Sequence, residues 1–237
     1  MSFTFRRSLL FAGLFVVFTI VGTLTHELGH IAVARWLGYQ TTLHYGSMTW
    51  HSGPLDDRLN AILIRYGGEI EEDIDFPSRA EYYQLEAARL QHVFWMTAGG
   101  PIQTMATGLV GLLVLRFRSI ERRTFSFKWI DWLAVFLALF WLREIFNPLA
   151  SIIGWLYKGT KISFRFSGDE HHLSQMLQLK GWEFPVLFGL LGTMIVSYVL
   201  FSLIPRKERN AFIAGGAIGG LVGYWLWMEI FGPLVLS

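Results

Sequence analysis

The sequence predicts an all-α polytopic membrane protein of about five transmembrane helices, with a small strand-like hairpin in the first long connection. Three observations predict it. Of the 237 residues, 53% are hydrophobic and only 16% charged, and mean hydropathy is positive at +0.41, outside the usual range of a soluble domain. The apolar residues gather into five stretches, roughly 8 to 37, 92 to 115, 129 to 157, 184 to 204 and 211 to 231, near the roughly 20 residues that a helix needs to cross the hydrocarbon core. Basic residues cluster at alternate ends of those stretches, as they do in membrane proteins of fixed orientation. The five stretches leave little chain for a second unit, so residues 1–237 are read as one membrane-embedded domain.

The first stretch follows Arg6 and Arg7. That pair could also open a secretory signal with Gly22 and Thr23 near its cleavage point, but the apolar run continues unbroken to Trp36, Leu37 and Gly38, which favours a retained span. Thr41 to Trp50 is rich in Thr, Tyr and Trp around Gly46, as a hairpin would be. Asp75 to Arg89 reads as a helix, opened by Pro77 and Ser78 and striped by Tyr82, Leu85, Leu90 and Val93. The second span carries Ala98-Gly99-Gly100-Pro101 and Gln103 near its start; the glycines allow close helix approach and the proline predicts a kink or restart. In the third span Arg143, Glu144 and Asn147 precede Pro148. An intramembrane Arg beside a Glu is expected to pair with it, or to serve a site, and Asn147 is expected to satisfy backbone groups that Pro148 frees. The fifth span has a face of small residues, Gly215, Gly216, Gly219, Gly220 and Gly223, suited to packing.

Arg6 and Arg7, then Arg116, Arg118, Arg122, Arg123 and Lys128, then Arg206, Lys207 and Arg209 fall on one side of five spans. That side is predicted to be cytoplasmic, with the N-terminus inside, Ser237 outside, and residence in a plasma membrane of the bacterial inner-membrane kind. The connection from 38 to 90, acidic with Asp56, Asp57, Glu69, Glu71, Glu72, Asp73 and Asp75, falls on the opposite side. So does the connection from 158 to 183. A net charge of +2, scattered along the chain, gives no footprint for nucleic acid. With no cysteine, disulfides, thiolate metal sites and cysteine nucleophiles are excluded, and a metal must use His, Asp, Glu or water.

His26-Glu27-Leu28-Gly29-His30 lies late in the first span. On a helix, positions i and i+4 share a face, so two imidazoles there can bind one Zn²⁺ while the intervening Glu reaches the water that the metal acidifies. Ionisable groups inside an apolar helix are costly unless paired or bound, which weighs against coincidence. Catalytic zinc keeps three protein ligands and an open position. The third is sought in Ser167-Gly168-Asp169-Glu170-His171-His172, on the same side as the motif. Asp169 is chosen, with Glu170, His171 and His172 as rivals and a helix cap as its plain structural reading. His44, His51 and His92 are read as loop or interfacial residues.

Taken in order, an HExxH motif on the first span, a glycine-proline element on a later one and an aspartate after a further span resemble the site-2 protease family of intramembrane zinc metallopeptidases. The resemblance covers most of the chain. It implies that His26 and His30 are zinc ligands, that Glu27 is the catalytic base, and that Gly99-Gly100-Pro101 is the family's glycine-proline element. Gly168-Asp169-Glu170 stands where better known members carry Leu-Asp-Gly, and so resembles the shorter branch that lacks a PDZ-like insertion. Gln103 stands where the family often has Asn. Asp169 as a ligand and Gly99, Gly100 and Asn147 as substrate-binding residues follow as expectations. Relatives place a hairpin that can pair with unwound substrate where Thr41 to Trp50 falls.

The expected activity is hydrolysis of peptide bonds in or near the membrane-spanning segments of other proteins, with the lipid bilayer as solvent and a membrane protein as substrate. The alternative is a catalytically inactive metal-binding membrane protein of the same fold, against which the intact Glu27 argues, since a structural zinc needs no base beside it. A di-iron hydroxylase is disfavoured: such sites need about eight histidines, and the chain has seven.

Overall fold

The computed structural model describes residues 3–51, 53–121, 127–158 and 164–236. Arg122, Arg123 and Ser237, which bear on the predicted orientation, lie outside the described residues. The chain is an all-α polytopic membrane protein: five helices are long and apolar enough to cross a bilayer, Phe5–Trp36, Arg79–Arg118, Trp129–Lys158, Glu183–Leu203 and Arg206–Val235. In order the elements are α1 (Phe3–Trp36), β1 (Thr41–Leu43), β2 (Met48–Trp50), α2 (Asp56–Glu71), α3 (Arg79–Glu121), α4 (Trp129–Ala138), α5 (Leu142–Lys158), α6 (Asp169–Met176), α7 (Glu183–Tyr198), α8 (Arg206–Trp225) and α9 (Gly232–Val235). A 3-10 turn at Leu139–Trp141 joins α4 to α5 within the third span, and π-helical turns at Val199–Leu203 and Leu226–Phe231 follow α7 and α8.

The first and last spans pack face to face because α8 lacks side chains along the contact. A Cβ at Gly215 would come within 2.6 Å of the Ser8 carbonyl oxygen, one at Gly223 within 2.8 Å of Val16 Cα, and one at Gly219 would strike the Ala12 backbone. Removing those Cβ atoms lets the backbones approach, which substitutes for the hydrophobic effect where lipid is already apolar. Below this seam Phe11, Phe15, Phe136 and Phe212 form an aromatic core with ring centroids 5.0–5.6 Å apart, distances at which offset and edge-on rings attract. The Arg7–Glu208 ion pair ties the starts of α1 and α8, and Arg118 Nε donates to Asp131 Oδ1 at 2.8 Å, tying α3 to α4. The described members of the three basic clusters thus gather at one end of the bundle.

The opposite end carries the hairpin and α6. β1 and β2 pair antiparallel with Thr42 opposite Thr49, and the hairpin is tied to the far end of the fifth span by Trp227 Nε1, which donates to the Tyr45 carbonyl at 2.6 Å. Asp56–Glu71, a stretch to which the sequence reading assigns no element, is a helix pinned to α3 through Leu59, Ile62, Phe76 and Leu85. One local expectation changes. The helix expected at Asp75 to Arg89 and the second span are one continuous helix, which starts at Arg79 and runs through Pro101. Pro101 neither ends nor restarts it; the backbone there lies against α1, which holds the turn that isolated chain would give up.

Candidate metal centre

His26 and His30 occupy one face of α1 a turn apart, and both are buried, with Glu27 between them. Their ligand atoms and that of Glu27 lie within 4.8 Å of one another. Each imidazole is oriented from its far side. His30 Nδ1 donates to the Met96 carbonyl at 2.7 Å, and His26 Nδ1 is hydrogen-bonded to Thr104 Oγ1 at 2.9 Å. Both partners belong to α3. That arrangement turns the two Nε2 atoms toward each other at 3.1 Å.

Asp169 completes the group. Gly168, at φ 97°, turns the chain so that α6 begins at Asp169, a backbone setting open to glycine and costly for others. Asp169 Oδ2 then stands 2.9 Å from His26 Nε2 and 3.4 Å from His30 Nε2. Burial opposes ionisation of this carboxyl, but its hydrogen bonding to His26 and His30 outweighs burial and holds it well below the usual carboxylate range.

The triangle of atoms fits a metal ion. Four ligands placed tetrahedrally at the roughly 2.0–2.1 Å of a zinc–nitrogen or zinc–oxygen bond lie about 3.3 Å apart, against the observed 2.9, 3.1 and 3.4 Å. The lone pairs allow the same reading. The Met96 carbonyl only accepts, and at 2.7 Å it is far nearer to His30 Nδ1 than the Gly100 N–H nitrogen at 3.3 Å, so Nδ1 carries the proton and the neutral ring presents a lone pair at Nε2. Protons on Nε2 of the two rings can donate to the Asp169 oxygen, and a divalent ion lying among the three atoms would satisfy all three contacts at once. Thr104, which nothing in the sequence singled out, orients the His26 ring through Nδ1. Thr104→Val preserves shape and leaves the buried Nδ1 without its partner, so zinc affinity should fall about 10–100-fold in a chelator-competition titration. An unchanged affinity would remove Thr104 from the account.

The rivals of Asp169 point elsewhere. His171 Nδ1 donates to the Gly181 carbonyl at 2.8 Å, His172 is exposed, and Glu170 Oε2 accepts from Asn147 Nδ2 at 3.1 Å. Burial, reinforced by the Asp169 charge, pushes the Glu170 carboxyl up. Two expectations for the third span change accordingly. Asn147 spends its amide on Glu170 rather than on backbone freed by Pro148, and Arg143 turns its Nη2 toward Asp169 Oδ2, at 4.0 Å, rather than pairing with Glu144. The reason is α6, which lays two carboxylates along α5. His44 is bonded to Thr49 and His92 to Tyr39, away from the cluster.

Gly99 and Gly100 set α1 and α3 at contact distance. A Cβ on Gly29 would fall 2.5 Å from the Gly99 carbonyl oxygen, and one on Gly100 would fall 2.5 Å from His26 Nε2 and overlap His30 Nε2. Beside the cluster opens an apolar cleft of about 610 Å³ between α1, α5 and α8, whose lining includes Phe18, Phe140, Phe146, Thr104 and Arg143. No family model, curated protein or solved structure matches the chain.

Proposed function

We propose that the protein is an intramembrane zinc metallopeptidase that hydrolyses peptide bonds in or near the membrane-spanning segments of other proteins. The observation that carries this reading is the convergence of His26 Nε2, His30 Nε2 and Asp169 Oδ2 within 3.4 Å of one another, with the buried Glu27 carboxylate alongside. Three protein ligands and one open position are what a catalytic zinc uses, and a structural site has no need of the neighbouring base. Zinc bound there supplies Lewis acidity, polarising the scissile carbonyl and acidifying water. His26, His30 and Asp169 hold it, the imidazoles fixed by Thr104 and Met96. Glu27 takes the proton of the attacking water and returns it to the leaving amine. The apolar cleft beside the cluster suits an apolar peptide segment.

The basic ends of the helices set the orientation: they face the cytoplasm, and the metal cluster, hairpin and α6 lie in the opposite half of a bacterial inner membrane. Zinc content and cleavage of single-span substrates, measured together on purified protein in lipid vesicles, test this reading. About one zinc per chain is expected, with cleavage that a chelator abolishes and added Zn²⁺ restores. In Asp169→Ala both should be lost together, and in Asp169→Asn both should weaken. Full zinc occupancy in Asp169→Ala would remove Asp169 from the ligand set, and chelator-resistant cleavage would overturn the metallopeptidase.

A further inference from the structure

Arg143 has a place in the fold that its resting contacts do not explain. It lies just after the 3-10 turn, on the first turn of α5, and among the described residues is the only charged side chain lining the 610 Å³ cleft. An ionisable group set among apolar walls is costly and is a mark of function. Its guanidinium is not closed onto a partner. Nη2 stands 4.0 Å from Asp169 Oδ2, beyond the roughly 2.7–2.9 Å of a guanidinium–carboxylate hydrogen bond, and that oxygen already faces both imidazoles. Its Nε is buried and, among the described residues, has no hydrogen-bond partner.

We propose that Arg143 binds the carbonyl oxygen of the scissile peptide bond and the negative charge that develops there, an inference that rests on the peptidase reading. A peptide reaching the metal ligands through the cleft meets this guanidinium beside Asp169. The two charged groups then divide the chemistry. Glu27 handles the protons of water and leaving amine, and Arg143, a fixed cation with planar donors, holds oxygen without exchanging a proton. Donors set in advance beside developing charge act most strongly where water is excluded, and the Arg143 guanidinium, which lines the cleft, carries such donors. A plain counter-ion to Asp169 has a different consequence, because zinc affinity would then fall with the arginine.

The test compares full-length wild type, Arg143→Gln and Arg143→Lys in lipid vesicles. The readouts are zinc per chain, kcat and KM on a single-span substrate, and affinity for a phosphinic peptide whose tetrahedral phosphorus oxygens mimic the charged intermediate. For Arg143→Gln the expected result is wild-type zinc, KM within a few-fold, and kcat lower by about 10²–10³-fold. Phosphinic-peptide affinity should fall by a similar factor, and Arg143→Lys should recover part of both. Loss of zinc in step with activity, or unchanged kcat and phosphinic-peptide affinity, would overturn the proposal. If wild type and Glu27→Gln are equally inactive, the peptidase reading fails. The role of Arg143 falls with it, whereas cleavage by wild type that is lost in Glu27→Gln but unchanged in Arg143→Gln overturns the role of Arg143 alone.

Discussion

Gly100→Ala is expected to lose its zinc, and its zinc-free form to lose stability as well. Alanine is favoured over glycine in a helix interior by roughly 0.5–1 kcal/mol, and Gly100 lies well inside α3. The added Cβ, however, would sit 2.5 Å from His26 Nε2 and 2.6 Å from His30 Cε1, where the proposed metal ligands converge. Either the imidazoles rotate away, breaking the bonds to Thr104 and Met96, or α3 withdraws from α1. Both outcomes separate the Nε2 atoms. Gly154→Ala is the control, since a Cβ there meets nothing within 4 Å. Metal analysis and thermal unfolding of chelated samples check the pair of effects, and a Gly100→Ala protein with full zinc would mean that the centre lies elsewhere.

The spans were legible because bilayer thickness imposes a length of apolar chain that composition alone reveals. The shared face of His26 and His30 was legible because it is a property of one helix. What the sequence did not disclose depends on contacts between helices. Gly99-Gly100-Pro101 looks like an interruption, yet α3 runs through it because the glycine backbone is braced on Gly29 of α1. Asp56–Glu71 has Gly67 and Gly68 near its end and a non-helical Tyr66, so its local signal is weak, and packing on Phe76 and Leu85 decides it. Thr104 is an ordinary threonine in an apolar run until α1 brings His26 to it. Asn147 was expected to serve Pro148, but local reasoning had no view of Glu170, which sits 23 residues further on.

The side of the bundle that bears the site was inferred from basic clusters, and the ion pairs of Arg7 and Arg118 add a second role for those residues. They lock helix ends together as well as carrying the proposed orientation. For the same reason, moving a cluster to reverse the protein would also loosen the bundle.

Glu27 carries the central claim, because it separates a peptidase from a protein that merely holds a metal. Its side chain is buried at 6% exposure beside the ligand atoms, and glutamine matches its size while giving up the ability to accept a proton. Removing a positioned general base lowers rates about 10²–10⁴-fold, whereas His26, His30 and Asp169 are untouched and should hold zinc as before. The decisive measurement is cleavage of a panel of single-span substrates by purified wild type and Glu27→Gln in lipid vesicles, with zinc determined in the same samples. The account predicts cleavage by wild type, its loss in Glu27→Gln, and equal zinc in both; equal cleavage by the two proteins at equal zinc would contradict it.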